Sequence, residues 1–301
     1  MKAALVTRYG PPGVLRLMDV PEPVPGPDDV LLRVKVIGLN FADVFARMGL
    51  YPSVPKPPFI PGLEVAGVVT QVGEKVRGIR KGNRVLGLTR QKAYAEFVAT
   101  PYSHVQILPP GMPFEHAAAF GVTYLTAYHA LVTLAHLSKG ERVLIHAAAG
   151  GVGTAAVQIA RRIGAEIFAS VGSERKMAVA AEQGAQHVVD CRRESFATWA
   201  RRESQGAGLD VILDSIGGET SREGLKLLAP MGRLVVFGFA AVTGPSRIKP
   251  LTALREIMAT PRVNLRNLPL RNISVMGFNL YFLEEKIDYL RKAMRTLLRW
   301  Y

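Results

Sequence analysis

The second half of the chain alternates short apolar runs with helical patterns. From about Glu141 onward, apolar runs rich in β-branched residues recur roughly every twenty-two residues, with the spacing of amphipathic helices between them. The predicted strands are Arg142–Ile145, Glu166–Val171, His187–Val189, Val211–Asp214, Arg233–Phe237 and Ile273–Gly277. Strands that alternate with helices in this way predict an α/β fold with a doubly wound parallel sheet.

The first 110 residues show a different pattern. Their short apolar runs are separated by proline and glycine, for example in Pro21–Pro27, which is typical of a small barrel-like β domain. The segment Pro113–Leu137 has a helical pattern and is predicted to join the two parts. We therefore expect a β-barrel domain over residues 1–120, a sheet domain over residues 121–280 and a helix over residues 281–301.

An unusually long connection separates the fifth predicted strand from the sixth. Its basic part, residues 241–271, contains a predicted helix at Leu251–Met258. The cations of this segment include Lys249, Arg255, Arg262, Arg266 and Arg271. The pattern fits either a surface insertion or a segment that contacts a membrane surface or a partner.

A glycine-rich turn follows the first strand of the sheet domain. The apolar run Val143–His146 leads into a turn that contains Gly150, Gly151, Val152 and Gly153, and a helical pattern follows. The first two glycines let the backbone turn tightly and approach a pyrophosphate, and Gly153 lets the helix lie close on the strand. The helix N-terminus then offers free N–H groups to that anion. A turn without a ligand is the alternative.

Composition indicates a globular protein. The chain has 301 residues, of which 49% are hydrophobic and 21% charged, and this length suits two domains. The N-terminal apolar run is too short for a signal peptide and no stretch reaches the length of a membrane span, so we expect a cytoplasmic protein. The single cysteine, Cys191, excludes an intramolecular disulfide and a multi-cysteine zinc lobe. Redox chemistry would therefore require a bound cofactor.

The net charge of +14 has three possible explanations. The positive charge could attract nucleic acid, an anionic membrane surface, or an anionic ligand such as a phosphorylated cofactor. The basic residues are scattered, and no nucleic-acid motif or interleaved aromatic pattern accompanies them. We expect no binding of nucleic acid.

Several motifs together resemble one family. They are Gly38–Asp43, Pro61–Gly67, the glycine-rich turn, Asp214–Gly218, Leu227–Arg233 and Thr243–Arg247. They resemble the medium-chain dehydrogenase/reductase superfamily and its zinc-independent quinone oxidoreductase branch, which includes zeta-crystallin. The last two motifs look most similar to the synaptic vesicle membrane protein (vesicle amine transport protein) subgroup. The resemblance implies an N-terminal GroES-like β-barrel catalytic domain, a Rossmann domain and a cleft between them.

The resemblance also allows the metal positions of zinc-dependent relatives to be checked. Asn40, Leu63 and Val122 stand where such enzymes carry cysteine or histidine ligands, and only Glu64 is retained. A catalytic zinc typically needs three protein ligands, so we expect no metal. Without a Lewis acid, alcohol oxidation is difficult, and hydride delivery from a reduced nicotinamide to a quinone or another α,β-unsaturated carbonyl is favoured.

The resemblance favours NADPH as the cofactor. NAD-preferring relatives place an acid at the position of Val171, where it accepts hydrogen bonds from the adenosine ribose. Here Ser173 and Lys176 match residues that quinone oxidoreductases use for the 2′-phosphate, and Arg192 is a further candidate for that contact. Alternatively, Ser173 serves as a helix N-cap and Lys176 as a solvated helix residue.

Other site residues also follow from the resemblance. Asn40 would hydrogen-bond the nicotinamide ribose or the acceptor oxygen, while Asp43 serves either the site or only the start of a helix. Tyr51 matches a proton donor or carbonyl-orienting tyrosine of enoyl reductases, although a packed loop aromatic is an equal alternative. The remaining expected cofactor contacts are Thr126, Asp214, Gly238, Phe278 and Asn279.

Two other functions remain open. One is an enoyl-thioester reductase, which would need a basic channel for a phosphopantetheine arm. The other is a cofactor-binding structural or membrane-associated protein with little turnover. Because the sequence stops at Tyr301, before the closing segment of the family's catalytic domain, we expect that domain to be incomplete. Relatives pair the strand that corresponds to Ile273–Gly277 across a two-fold axis, which implies a homodimer.

Overall fold

The structure, a computed structural model, describes residues 1–51, 54–242 and 250–301. The motif Thr243–Arg247 and Lys249 lie outside the described residues. The chain divides into two compact units. Unit 1 comprises Met1–Leu125 and Leu280–Tyr301, and unit 2 comprises Thr126–Asn279.

Unit 1 contains the antiparallel β structure. Its strands are β1 (Lys2–Val6), β2 (Leu15–Asp19), β3 (Asp29–Ile37), β4 (Glu64–Val72), β5 (Arg84–Leu88), β6 (Phe97–Pro101) and β7 (Val105–Ile107). Within the described residues, β1 pairs with β2, and a five-stranded sheet has the order β6-β3-β4-β5-β7. Buried valines and leucines of this sheet, such as Leu32, Val65 and Val85, form its core. The predicted GroES-like β domain is confirmed.

The first α-helix of unit 1 begins beside a carboxylate that accepts a backbone N–H group. Helix α1 (Phe41–Arg47) follows β3, and the Asp43 carboxylate accepts a hydrogen bond from the Asn40 backbone N–H over 2.8 Å. The other helices that begin or lie in this unit are α2 (Phe114–Ala118), α3 (Gly121–Tyr128) and α10 (Ile287–Trp300).

The segment Pro113–Leu137 is helical, as its pattern predicts, but the helix is broken between Ala118 and Gly121. The segment forms α2, α3 and a π-helical stretch at His129–Leu134 that directly continues α3. The break has a physical reason, because Gly121 begins α3 against Glu64, and a Cβ at Gly121 would lie 2.8 Å from Glu64 Oε2. The helix restarts there so that its N-terminus faces a carboxylate.

Unit 2 is built on a parallel sheet. Its strands are β8 (Arg142–His146), β9 (Glu166–Val171), β10 (His187–Asp190), β11 (Leu209–Asp214), β12 (Leu228–Val236) and β13 (Ser274–Gly277). Each predicted strand forms, and β12 begins earlier than expected because Leu228 pairs with Leu209. The sheet of the described residues has the order β10-β9-β8-β11-β12-β13. The chain adds β9 and β10 on one side of β8 and then returns to add β11, β12 and β13 on the other side, so the switch point lies between β8 and β11. The doubly wound Rossmann sheet is therefore confirmed.

Helices connect these strands. They are α4 (Gly151–Ile163), α5 (Glu174–Gln183), α6 (Phe196–Glu203), α7 (Glu219–Leu227), α8 (Pro250–Ala259) and α9 (Asn267–Arg271). The core of the unit includes Leu144, Phe168, Trp199 and Ile212. The predicted helix at Leu251–Met258 corresponds to α8. No helix in the part of the chain that the structure describes combines the length and the apolarity that crossing a membrane requires.

Candidate functional site

The predicted cofactor residues of unit 2 gather at one edge of its sheet. Gly150 follows β8, Ser173 follows β9, Arg192 follows β10, Gly238 follows β12 and Phe278 follows β13. Because all these strands are parallel, their carboxyl ends share an edge, which is where doubly wound sheets bind ligands. The topology therefore brings together residues that are far apart in sequence.

The glycine-rich turn has the geometry of a phosphate cradle. Gly150 is the N-cap of α4, and the first N–H group bonded within this helix is that of Thr154, which donates to the Gly150 carbonyl over 2.8 Å. The N–H groups of Gly151, Val152 and Gly153 thus lie in the first turn, where backbone donors have no partner within the helix. Their direction and the helix dipole favour an anion.

Gly153 allows α4 to contact the preceding turn. A Cβ at this position would lie 2.3 Å from the Ala147 carbonyl oxygen and 2.6 Å from the Ala148 Cα. Those atoms belong to the backbone and cannot move aside as a flexible side chain could. The close approach of helix and turn therefore requires glycine, as the sequence predicted, and the cradle fits a nucleotide diphosphate.

The end of β9 carries the second predicted phosphate contact. Ser173 occupies the N-cap position of α5, but its side chain makes no capping hydrogen bond. Lys176 lies in the first turn of α5 and is exposed. Ser173 thus occupies the N-cap position of the alternative interpretation, but its hydroxyl does not bond the helix. Gly172, which precedes Ser173, leaves open space, since a Cβ there would meet no atom within 4 Å.

Arg192 lies at the end of the third strand and is already partly engaged. Its backbone N–H donates to Asp190 Oδ1 over 3.0 Å, and its Nε lies 3.5 Å from the same oxygen. The neighbouring Arg193 pairs with Glu174 over 2.7 Å. These carboxylates weaken the positive potential that the sequence suggested here.

Asp214 requires a correction. None of its surface is exposed, and its Oδ1 accepts the N–H groups of Ile216 and Gly217, while its Oδ2 accepts the Ser221 hydroxyl. A side chain without exposed surface cannot contact a bound cofactor. Asp214 instead fixes the turn after β11, which is a positioning role that its sequence motif did not distinguish from binding.

Two neighbouring loops meet at Gly238. A Cβ there would lie 2.7 Å from the Ser215 carbonyl oxygen, so the loops after β11 and β12 approach each other closely. Phe278 lies against His129, with 4.7 Å between ring centroids, and Asn279 follows it at the end of unit 2. Thr126 is buried in α3.

Unit 1 contains a buried polar network around Glu64. The Asn40 side-chain Nδ2 donates to Glu64 Oε1 over 2.8 Å, and the Val122 backbone N–H donates to Glu64 Oε2 over 2.8 Å. Three of the four positions compared with zinc ligands are therefore in contact, whereas the fourth, Leu63, precedes Glu64 and is half-buried. Glu64 itself is 1% exposed.

Burial dominates the acidity of this network. It raises the pKa of Glu64 from 4.5 to about 7, although the hydrogen bonds from Val122 and Asn40 act in the opposite direction. Burial likewise raises the pKa of Asp43 from 3.8 to about 6. Two carboxyl groups that titrate near neutral pH thus lie in one network, which is a feature of functional sites.

Tyr94 is a member of this network that the sequence did not reveal. Its hydroxyl donates to Asp43 Oδ2 over 3.1 Å, and burial together with Asp43 raises the pKa of Tyr94. The two residues are 51 positions apart, and no local motif connects them. Asp43 therefore serves the start of α1 and also holds a buried tyrosine.

Tyr51 lies close to the same network. Tyr51 and Asp43 line one small cavity of about 10 Å³. The Tyr51 ring packs edge-to-face on Tyr281, with 5.7 Å between centroids. Tyr51 is thus a packed aromatic next to a titratable group, and its two sequence interpretations are compatible.

The described residues contain no group of three or more histidine, cysteine, aspartate or glutamate side chains that could hold a metal ion. Both oxygens of Glu64 accept hydrogen bonds from protein donors.

Known families match both parts of the chain. Residues 26–110 match the alcohol dehydrogenase GroES-like domain, and residues 151–299 match the zinc-binding dehydrogenase family. The quinone oxidoreductase of Lama guanicoe is 37% identical over 267 residues, which cover 88% of this chain and 80% of that protein. The chain belongs to the medium-chain dehydrogenase/reductase superfamily. Within this superfamily it is quinone oxidoreductase-like and related to the VAT-1 homologues.

Two further similarities support this family assignment. The synaptic vesicle membrane protein VAT-1 homolog of Danio rerio is 35% identical over 301 residues, and the chain spans 62% of the length of that relative. The crystal structure of Escherichia coli quinone oxidoreductase complexed with NADPH superposes with a TM-score of 0.86 at 30% identity, covering 99% of this chain and 87% of that one.

Proposed function

We propose that this chain is an NADPH-dependent, zinc-independent oxidoreductase that transfers hydride to quinones or other α,β-unsaturated carbonyls. The observation that carries the proposal is the phosphate cradle at the start of α4 together with the absence of an acid at the end of β9. Gly153 permits the close backbone approach. Val171 ends β9 and Gly172 and Ser173 follow it, so that no acid occupies these three positions, where it would repel a 2′-phosphate.

Each group of residues has a distinct part in this proposal. The N–H groups of Gly151, Val152 and Gly153 hold the diphosphate, while Ser173 and Lys176 hold the 2′-phosphate. The bound nicotinamide supplies the hydride. The protein positions the acceptor and stabilises the charge that develops on its oxygen.

In unit 1, Tyr51 is proposed as the proton donor or orienting group for that oxygen. Asn40 is held by Glu64 through the 2.8 Å hydrogen bond from its Nδ2, which fixes the direction of its amide. A fixed amide can hydrogen-bond a ribose hydroxyl or the acceptor oxygen without first being ordered. The engagement of both Glu64 oxygens by Asn40 and Val122 supports metal independence.

The test is oxidation of NADPH, followed by its absorbance, with a panel of quinones and with a crotonyl thioester. Turnover of quinones above the thioester supports the proposal. Turnover of the thioester alone would identify an enoyl-thioester reductase. NADPH binding without turnover on any acceptor would favour the structural function, and stoichiometric zinc in active protein would contradict metal independence.

A second proposed function is contact with an anionic membrane surface through α8, α9 and the loop between them. Of the twenty-one large hydrophobic side chains exposed in the described residues, seven lie between Leu251 and Leu270. Arg255, Arg262 and Arg266 lie among them and are all exposed. A face that presents apolar and basic side chains together is typical of helices that lie on membranes.

Glu256, the acidic residue of α8, is directed toward α7 and away from the exposed apolar side chains. Glu256 Oε2 accepts the backbone N–H of Glu219 over 3.2 Å, so the carboxylate is bound to the start of α7. The outward side of α8 therefore presents Leu254, at 56% exposure, and Ile257, at 62%, without a neutralising carboxylate from this helix.

Flotation with phosphatidylserine and phosphatidylcholine vesicles tests this contact. The native chain should bind the anionic vesicles, and Leu254→Ser/Ile257→Ser should abolish binding. The matched control, Leu17→Ser/Val24→Ser, removes two exposed apolar side chains of unit 1 and should bind normally. Equal binding of all three proteins would refute the proposal.

Separately, we propose a homodimer through the edge strand β13, which sedimentation equilibrium would check.

A further inference from the structure

A basic groove in unit 1 belongs to neither of the sites described above. It lies between α10 and residues of β7 and the loop after β4, and its volume is about 750 Å³. Its cations are Arg77, Arg291, Lys292, Arg295 and Arg299. Those of α10 recur at positions that share one face of the helix, while Leu290, Met294 and Leu297 are buried on another.

Acidic side chains neutralise little of the positive charge of this basic groove. Among the described residues, Asp288 is the only carboxylate within 4.0 Å of these five cations, and it lies 3.9 Å from Arg291 and is 97% exposed. An exposed carboxylate at that distance neutralises little charge. One cation of the groove also affects a neighbour, since Arg291 adds to the lowering of the His104 pKa that burial and Arg90 cause.

The lining of the basic groove also contains apolar side chains. Ile79, Ile107 and Leu298 lie between the cations, and Ile107 is 47% exposed. Arg291 lies over the face of Tyr102, with 6.0 Å from its guanidinium carbon to the ring centroid. The groove therefore offers apolar contact and positive charge in the same space.

We propose that the basic groove binds a small organic phosphate. Four of its five cations are arginines, whose planar donor fork matches the oxygens of a phosphate group. The volume falls in the range of small-molecule sites, and the isoleucines and Leu298 can cover the organic part of the ligand. This site is separate from the phosphate cradle of α4, and the proposal does not depend on the enzyme activity.

Calorimetric titration of the full chain with phenyl phosphate and with inorganic phosphate tests the proposal. The native chain should bind phenyl phosphate more tightly, because inorganic phosphate lacks a part that the apolar side chains can cover. Arg295→Gln/Arg299→Gln should weaken phenyl phosphate binding at least tenfold. Both arginines are exposed, and circular dichroism should show an unchanged fold.

The matched control is Arg8→Gln/Arg16→Gln, which removes the same charge from exposed positions of unit 1. It should leave the affinity for phenyl phosphate within about twofold. An equal loss in both double variants would show unspecific attraction by net charge and would overturn the proposal, as would the absence of binding to the native chain. Binding of only a polyglutamate peptide or phosphatidylserine vesicles at Arg295 and Arg299 would also overturn the assignment to a small molecule.

Discussion

The Asn40 side chain donates a hydrogen bond to Glu64, with 2.8 Å between Nδ2 and Oε1. Asn40 stands at the start of α1, and the other oxygen of Glu64 accepts the Val122 N–H at the start of α3. One buried carboxylate thus links the N-termini of two helices in unit 1. Loss of this carboxylate would affect both helices because their positions depend on the same group.

Glu64→Gln should change the pH dependence of stability. The unfolded chain releases the Glu64 proton near pH 4.5, whereas the folded chain holds it until about pH 7. The native chain binds more protons in this window, so its free energy of unfolding should fall as the pH rises from 4.5 to 7 and the Glu64 contribution should then level off. The Glu64 share is on the order of 3 kcal/mol, since one pKa unit corresponds to about 1.4 kcal/mol.

Urea unfolding at several pH values measures this effect. In Glu64→Gln the fall should shrink to the part that Asp43 contributes, because burial also raises the pKa of that carboxyl to about 6. The control Glu22→Gln, at an exposed position of unit 1, should retain the native slope. A native-like slope in Glu64→Gln would contradict the assignment.

Gly153→Ala should destabilise unit 2 and weaken cofactor binding. The new methyl group would lie 2.3 Å from the Ala147 carbonyl oxygen, so the helix and the turn would have to separate. Overpacking of this kind typically costs about 1 to 3 kcal/mol. Thermal unfolding measures the loss, and Gly13→Ala, where a Cβ meets nothing within 4 Å, should unfold like the native chain.

Lys176→Ala should lower the affinity for NADPH more than the affinity for NADH. If Lys176 binds the 2′-phosphate, the variant should lose about tenfold in affinity for NADPH and little for NADH, because a charge-assisted hydrogen bond is worth more than about 1.4 kcal/mol. Fluorescence titration with each nucleotide measures both affinities. Arg201→Ala removes an exposed cation of α6 and should change neither. Equal losses for NADPH and NADH in Lys176→Ala would contradict the phosphate contact.

Tyr51→Phe tests the proposed proton donor. The ring contact with Tyr281 should persist, since the variant removes only the hydroxyl. With the acceptor found active, kcat should fall by about 100-fold while KM changes little. Tyr9→Phe, at an exposed tyrosine of unit 1, is the control and should keep native kcat. An unchanged kcat in Tyr51→Phe would leave the residue as a packed aromatic.

Some of the candidate site could be predicted from sequence because its residues depend on local rules. A glycine needed for close approach, as at Gly153, and a polar residue after a strand, as at Ser173, can each be recognised within a few positions. The role of Asp214 could not be predicted in this way. Its motif indicates a functional turn, but only the contact with Ser221 and its complete burial show that the side chain points inward.

The sequence by itself determined the parallel sheet, the antiparallel β domain and the position of the predicted cofactor residues of unit 2 at one edge, because periodicity defines strands and parallel strands share an edge. Tertiary structure decided the network of unit 1 and the basic groove. Glu64 meets Asn40 across 24 positions and Val122 across 58, and the groove requires α10 to lie beside β7. Such contacts depend on how distant elements pack, and the burial that raises the pKa of Glu64 exists only after they have done so.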